Sequence, residues 1–160
     1  YPLALLTYYF IMQKCYLALG CFWKPEEVFR QIKGISITEV GYAGGIDNKV
    51  TYEQICEGNT GHAETVKLTF EETIISYEKI LETFFNIHDP TQKNMQYPDV
   101  GTQYRSEIFY ENEEQKKIAE KYKRLFNEKF NGKIETNISE IKNYCKAEEY
   151  HQKYIMKRAY

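Results

Sequence analysis

A chain of 160 residues with a formal net charge of −2 is sized for one domain that buries its own core without disulfide or metal staples. Its 21 Lys and Arg face 23 Asp and Glu, so no global charge draws it to nucleic acid or to an anionic membrane. Four scattered cysteines, Cys15, Cys21, Cys56 and Cys145, form no C-x-x-C pair and no small secreted-domain pattern, which points to a reducing, cytoplasmic location.

Residues 1–11 are apolar but lack the basic flank and cleavage pattern of a signal peptide, and the stretch is too short to span a bilayer. They read as an accessory or non-native extension, with Met12 a candidate start, and the core is expected over about 14–155 of a single 1–160 domain. Lys14–Gly20 is a nearly continuous apolar run ending in glycine, the signature of a central strand covered on both faces. Pro25, Glu26 and Glu27 mark a helix start; Val28, Phe29 and Ile32 give that helix its apolar side, and Gly34 stops it. Ile35–Tyr42 is the next strand, followed by a loop at Gly41, Gly44 and Gly45. In His62–Phe70, Glu64, Val66, Leu68 and Phe70 share one face and Thr65, Lys67 and Thr69 the other.

Ser76–His88 carries a helical stripe of Tyr77, Ile80, Leu81, Phe84 and Phe85 behind a Ser76 cap. Residues 89–101 read as a polar loop and 103–110 as a strand. Glu113–Phe130 is a second amphipathic helix closed by Gly132, 134–141 an edge strand, and Ala147–Ile155 a short last helix. Strands in βαββαβ order imply an α+β fold, a two-layer sandwich of split-βαβ (ferredoxin-like) type, with an antiparallel or mixed sheet and helices on one face. Such a fold hosts many functions, so the chemistry must come from a site.

Cys21 stands where a buried strand hands over to a helix, and the helix's free N–H groups and positive end there favour a thiolate. Phe22 and Trp23, followed at once by Lys24 and Pro25, are poorly placed to fill one core stripe together; as exposed aromatics they suit a pocket for a small apolar group. Glu64 aims a carboxylate at the core, where burial raises its pKa and makes it a candidate general acid. His62 faces the other way and reads as structural. The dense polar stretch Tyr97–Ser106 costs entropy to order unless it shapes a site; Tyr52 and Tyr104 offer hydroxyl donors and Asp99 an acceptor.

These stretches together resemble peptide methionine sulfoxide reductase, type A. The matching blocks are Gly20-Cys21-Phe22-Trp23, Gly41-Tyr42-Ala43-Gly44-Gly45, Thr60-Gly61-His62-Ala63-Glu64, His88-Asp89-Pro90, Gly101-Thr102-Gln103-Tyr104-Arg105-Ser106 and Ala147-Glu148-Glu149-Tyr150-His151-Gln152. They occur in the family's order over roughly Lys14 to Tyr154. The resemblance implies a single catalytic domain in which Cys21 is the nucleophile and Phe22 and Trp23 hold the substrate's ε-methyl. It further implies that Glu64 protonates the sulfoxide oxygen, Tyr52 and Tyr104 hold that oxygen, and Asp99 lies near the bound substrate.

The implied substrate is the S epimer of methionine sulfoxide, free or in oxidised proteins. No cofactor is implied beyond an external dithiol reductant such as thioredoxin, and the enzyme is expected to be a monomer without nucleic-acid or membrane partners. A sulfoxide is a poor electrophile until its oxygen is protonated, so thiolate and acid must act together, leaving Cys21 as sulfenic acid to be reset by a second thiol. Many relatives carry a resolving cysteine in a glycine-rich C-terminal tail, which has no counterpart after the His151-Gln152 block. Cys15 sits in the apolar strand, Cys56 one turn after Tyr52, and Cys145, ahead of the last helix, is the first candidate to resolve the sulfenic acid. Two rivals remain: a cysteine peroxidase or thiol transferase, which would leave Glu64 and the tyrosines without a task, and an RNA- or peptide-binding sandwich. The latter needs a basic sheet face, and Lys67 and Arg105 are the only basic residues on the two clearest strands.

Overall fold

The computed structural model describes residues 12–159; the expectations for residues 1–11 lie outside them. The described chain runs β1 (Met12–Leu19), α1 (Trp23–Arg30), β2 (Ile35–Ala43), α2 (Tyr52–Glu57), β3 (Ala63–Glu71) and α3 (Tyr77–Asn86). A small hairpin follows, β4 (Met95–Gln96) and β5 (Asp99–Val100), then β6 (Ser106–Tyr110), α4 (Glu113–Lys129), β7 (Asn137–Glu140), β8 (Cys145–Lys146) and α5 (Tyr154–Arg158). Short 3₁₀ turns lie at Thr102–Tyr104 and Glu149–His151.

The main sheet has six strands in the order β7-β6-β1-β3-β2-β8. Its four inner strands are antiparallel, and β7 joins β6 in parallel. This is the split-βαβ arrangement: β1 and β2, linked across α1, leave a gap that β3 fills. One face of the sheet (Leu17, Leu19, Val40, Val66, Leu68, Ile108) packs on Phe29 of α1, on Ile80, Leu81, Phe84 and Phe85 of α3, and on Ala119 and Phe126 of α4. The other face is thinner: Tyr16, Ala18, Ala43, Ala63 and Phe109 lie under Ile141 and Tyr144 of the C-terminal segment. Tyr144 donates to Glu39 (2.6 Å), and the Lys67 ammonium sits over its ring.

Close approach of other chain segments dictates two glycines, Gly41 in β2 and Gly45 just beyond its end. A Cβ on Gly41 would stand 2.5 Å from the Cys145 carbonyl oxygen, and one on Gly45 would lie far inside contact with the His62 imidazole. Gly45→Ala is therefore expected to destabilise by about 3 kcal/mol through overpacking, lowering the thermal midpoint by about 10 °C in circular dichroism. An unchanged midpoint would show that the loop yields.

Several boundaries differ from the sequence reading. The strand expected from Gln103 begins at Ser106, because Thr102–Tyr104 close a 3₁₀ turn. Arg105 pins that turn, its guanidinium donating to the Thr102 and Gly61 carbonyls (both 2.9 Å) and to Glu107. The edge strand shortens to Asn137–Glu140. The last helix does not begin at Ala147: after β8 ends at Lys146 that stretch holds a 3₁₀ turn at Glu149–His151, and α5 starts only at Tyr154. The cause is tertiary. Gln152 accepts from Val40 N–H and donates to Val40 C=O (both 2.9 Å), pairing the edge N–H and sharing the carbonyl with the Ala147 N–H (3.0 Å). Lys153 then turns through the left-handed region (φ 49°), its N–H donating to buried Glu26 at 2.7 Å. Helix α2 was not expected, although Thr51 and Gln54 form a reciprocal capping box at its start.

Candidate active site

Gly20 ends β1 and turns the chain at φ +95°, so Cys21 and Phe22 precede the first residue of α1. Helix-start N–H groups have no partner within their own helix, and here they are aimed at two side chains. The Phe22 N–H donates to Glu64 Oε1 at 3.2 Å, and the Trp23 N–H reaches the Cys21 sulfur. Glu64 is 3% exposed on the core face of β3, and its carboxyl also meets the Cys21 thiol. Nucleophile and acid thus share one helix start.

The electrostatics correct one expectation. Burial and the Glu64 and Asp99 carboxylates push the Cys21 thiol up to about 12, against the smaller lowering by the Trp23 N–H. The helix start acts in the expected direction but is outweighed. Glu64 itself is raised to about 8, first by burial and then by Asp99, with Phe22 and Cys21 opposing. At neutral pH the resting pair therefore holds both protons, and once Glu64 is neutral its repulsion of a thiolate vanishes.

Two tyrosines lie within electrostatic reach of this pair. Tyr52 opens α2, its N–H held by Glu148 at 2.9 Å, and that same carboxylate accepts from Tyr42 Oη at 2.9 Å. The Tyr52 phenol is pushed up to about 12, first by its hydrogen bond with Cys56 and then by burial, with Glu64 and Cys21 close enough to add repulsion. Tyr104 is raised by burial and then by Glu64, Asp99, Tyr52 and Cys21. Asp99 is carried on the β4–β5 hairpin, and Gln96, paired with it across that hairpin, exchanges two 2.9 Å bonds with the Asp89 backbone. Beside the thiol opens a cavity of about 340 Å³ walled by Cys21, Lys24, Val28, Ile87, Tyr97 and Asp99.

The aromatic pair differs from expectation. Phe22 is not exposed: at 1% accessibility it packs on Tyr42 and His151. Trp23 is half-buried, stacked on Tyr154 at 3.8 Å, with its indole N–H donating to His151 Nδ1 at 3.1 Å. The sequence reading gave no role to Glu148, His151 or Tyr154; a histidine among tyrosines near a chain end carries no local signal, and only the packing of 147–154 on α1 and α2 shows where they act.

Of the other thiols, Cys15 is wholly buried. Exposed Cys56 lies against the Tyr52 hydroxyl. Cys145 pairs in register with Tyr42, itself the partner of Glu64, so two strand spacings separate it from the acid. His62 is buried on the opposite side with Nε2 3.1 Å from the Asn143 carbonyl, a structural placement. Among the described residues no group of three or more His, Cys, Asp or Glu is arranged to hold a metal ion, and no helix is long and apolar enough to cross a membrane.

A thiol in contact with a protonated carboxyl, ringed by hydroxyls and aromatics, matches what sulfoxide chemistry requires, and the comparisons with known proteins agree. The family model for peptide methionine sulfoxide reductase matches residues 13–160. The peptide methionine sulfoxide reductase MsrA of Pelagibacter ubique is 56% identical over 147 residues, covering 92% of this chain and all of that protein. The crystal structure of reduced Mxr1 from Saccharomyces cerevisiae superposes with a TM-score of 0.89 at 38% identity, over 92% of this chain and 86% of that one. Mxr1 in complex with Trx2 superposes with a TM-score of 0.65 at 28% identity, over 89% and 84% of the two chains. With the family model matching residues 13–160 and the Pelagibacter relative, 56% identical, covered over its whole length, the chain belongs to the type A peptide methionine sulfoxide reductases.

Proposed function

We propose that this enzyme reduces the S epimer of methionine sulfoxide, free or in oxidised proteins, with Cys21 as nucleophile and Glu64 as acid. The observation that carries the proposal is the contact between the Cys21 thiol and a Glu64 carboxyl that keeps its proton to about pH 8. The sulfoxide oxygen takes the Glu64 proton, assisted by the Tyr52 and Tyr104 hydroxyls, and the sulfur becomes electrophilic. Cys21 gives its proton to the vacated carboxylate and attacks that sulfur, forming a transient S–S bond to a sulfur that still carries the hydroxyl. The S–O bond and the new S–S bond then break as the hydroxyl passes to the Cys21 sulfur, so the substrate gains two electrons, the thiol loses two, and Cys-SH plus sulfoxide become Cys-SOH plus methionine. In this reading Asp99, on the hairpin beside the cavity, meets the rest of the substrate and half-buried Trp23 meets its methyl group, while buried Phe22 backs the site through its N–H to Glu64.

A second thiol condenses with the sulfenic acid, releasing water and forming a disulfide, which a dithiol then reduces. Thioredoxin is the proposed dithiol, supported by the Mxr1–Trx2 complex of the yeast relative. Cys145 is the internal candidate for the second thiol, and direct attack by the external thiol is the alternative route. The enzyme needs no cofactor of its own in this scheme. We further propose that it works as a monomer in the cytoplasm, where the unpaired state of all four cysteines is maintained.

The deciding experiment offers each sulfoxide epimer separately, with dithiothreitol and then with thioredoxin. Turnover of the S epimer alone with both reductants is expected. Turnover of hydrogen peroxide and of neither epimer would replace this reading with a thiol peroxidase.

A further inference from the structure

The chain has one tryptophan, and its indole is fixed from two sides. Tyr154 stacks on it with ring planes 7° apart, and His151 Nδ1 accepts its N–H at 3.1 Å. An indole N–H only donates, so Nδ1 must be bare and the imidazole proton must sit on Nε2. That Nε2 is buried and has no hydrogen-bond partner among the described residues. The ring is 2% exposed and wedged among Phe22 (5.3 Å between centroids), Tyr52 (4.7 Å) and Tyr150 (4.2 Å). A buried N–H left unpaired is a penalty, so what a histidine adds here is its Nδ1 and its ring faces. Burial lowers the histidine's pKa, with Glu148 opposing, which keeps the neutral form that can accept from the indole.

We propose that His151 is a positioning residue, the acceptor that locks the Trp23 indole in the orientation forming one wall of the substrate-methyl pocket. The inference rests on the reading of Trp23 as that wall. His151 does not touch the reacting atoms. It acts on binding shared by ground and transition states, so its loss raises KM more than it lowers kcat.

The single tryptophan makes emission a direct report on this contact. Three His151 variants separate acceptor from ring. His151→Asn keeps an acceptor near the Nδ1 position, His151→Phe keeps a ring without an acceptor, and His151→Gln moves the amide outward toward the Nε2 position. Folding of each is checked by circular dichroism, and Asn against Gln carries the comparison should Phe not fold. Expected for Phe and Gln are shifted Trp23 emission and a KM for methionine sulfoxide raised about tenfold, with kcat within about threefold. Asn is expected to recover most of both. In a Trp23→Phe background, which has no indole N–H, His151→Phe should change KM by less than about twofold. Unchanged emission and KM in His151→Phe, equal losses in Asn and Gln, or a full further loss in the Trp23→Phe background would overturn the positioning role. Unchanged KM in Trp23→Phe alone would instead sink the reading of Trp23 as pocket wall, whatever the emission shows.

Discussion

Glu64→Ala is expected to lower kcat/KM for methionine sulfoxide with dithiothreitol about 10³-fold, and Glu64→Gln only about tenfold. Alanine removes the proton donor and strands the Phe22 N–H, whose acceptor is Glu64 Oε1 at 3.2 Å. Glutamine keeps that acceptor and turns an amide N–H toward the sulfoxide oxygen. The comparison is apt because Glu64 is raised to about 8, so the working form at neutral pH is a neutral hydrogen-bond donor that glutamine imitates. What glutamine cannot do is give up a proton. Equal losses in the two variants, measured by steady-state kinetics, would argue that Glu64 holds Phe22 in place and does not act on oxygen.

A second expectation runs in the opposite direction for the same substitution. In the resting enzyme burial, the largest cause, holds the thiol above its ordinary value even while Glu64 is neutral, so alkylation of Cys21 by iodoacetamide near neutral pH should be at least about tenfold slower than for an ordinary thiol. Burial and the Glu64 charge both raise that value. Above the Glu64 pKa of about 8 the wild-type carboxylate repels the thiolate, and glutamine does not. Glu64→Gln should then alkylate about tenfold faster than wild type while reducing sulfoxide more slowly. Faster alkylation of the wild type, followed by mass spectrometry of the Cys21 peptide, would overturn the two-proton resting state. Cys21→Ser should abolish turnover in every case.

The same shift has a stability consequence whose sign follows from proton counts. Between the ordinary carboxylate value of 4.5 and about 8, the folded chain keeps a proton on Glu64 that the unfolded chain has lost. The Glu64 contribution to stability therefore declines with rising pH across that window and levels off above it, while His88, lowered by burial to about 4, contributes in the opposite sense up to the ordinary histidine value of 6.5.

Much of this was legible in the residues. The inner strands and both long helices were readable because their apolar periods are set by contact with one core: Val66, Leu68 and Phe70 alternate, while Ile80, Leu81, Phe84 and Phe85 stripe a helix. Glu64 was readable as core-facing from that same alternation. Residues 147–154 were not, because their conformation is set by bonds to distant partners. Gln152 is bound to Val40, the Lys153 N–H to Glu26 and Glu148 to the Tyr52 N–H, and no periodicity within the segment reports them. Phe22 was misread as exposed because its neighbours Tyr42 and His151 come from two other parts of the chain.

By itself the sequence determined that Cys21 ends a buried strand at a helix start and that a carboxylate on another strand faces the core. Local spacing and alternation are sufficient for both, since each depends on residues within a few positions. Only the tertiary structure decided the protonation of that pair, because desolvation and the repulsion from Asp99 depend on what surrounds the thiol in space. It likewise decided that the C-terminal segment builds the site from behind. His151 and Tyr154 reach Trp23 across more than a hundred residues of chain, a distance over which only packing, and no sequence period, carries information.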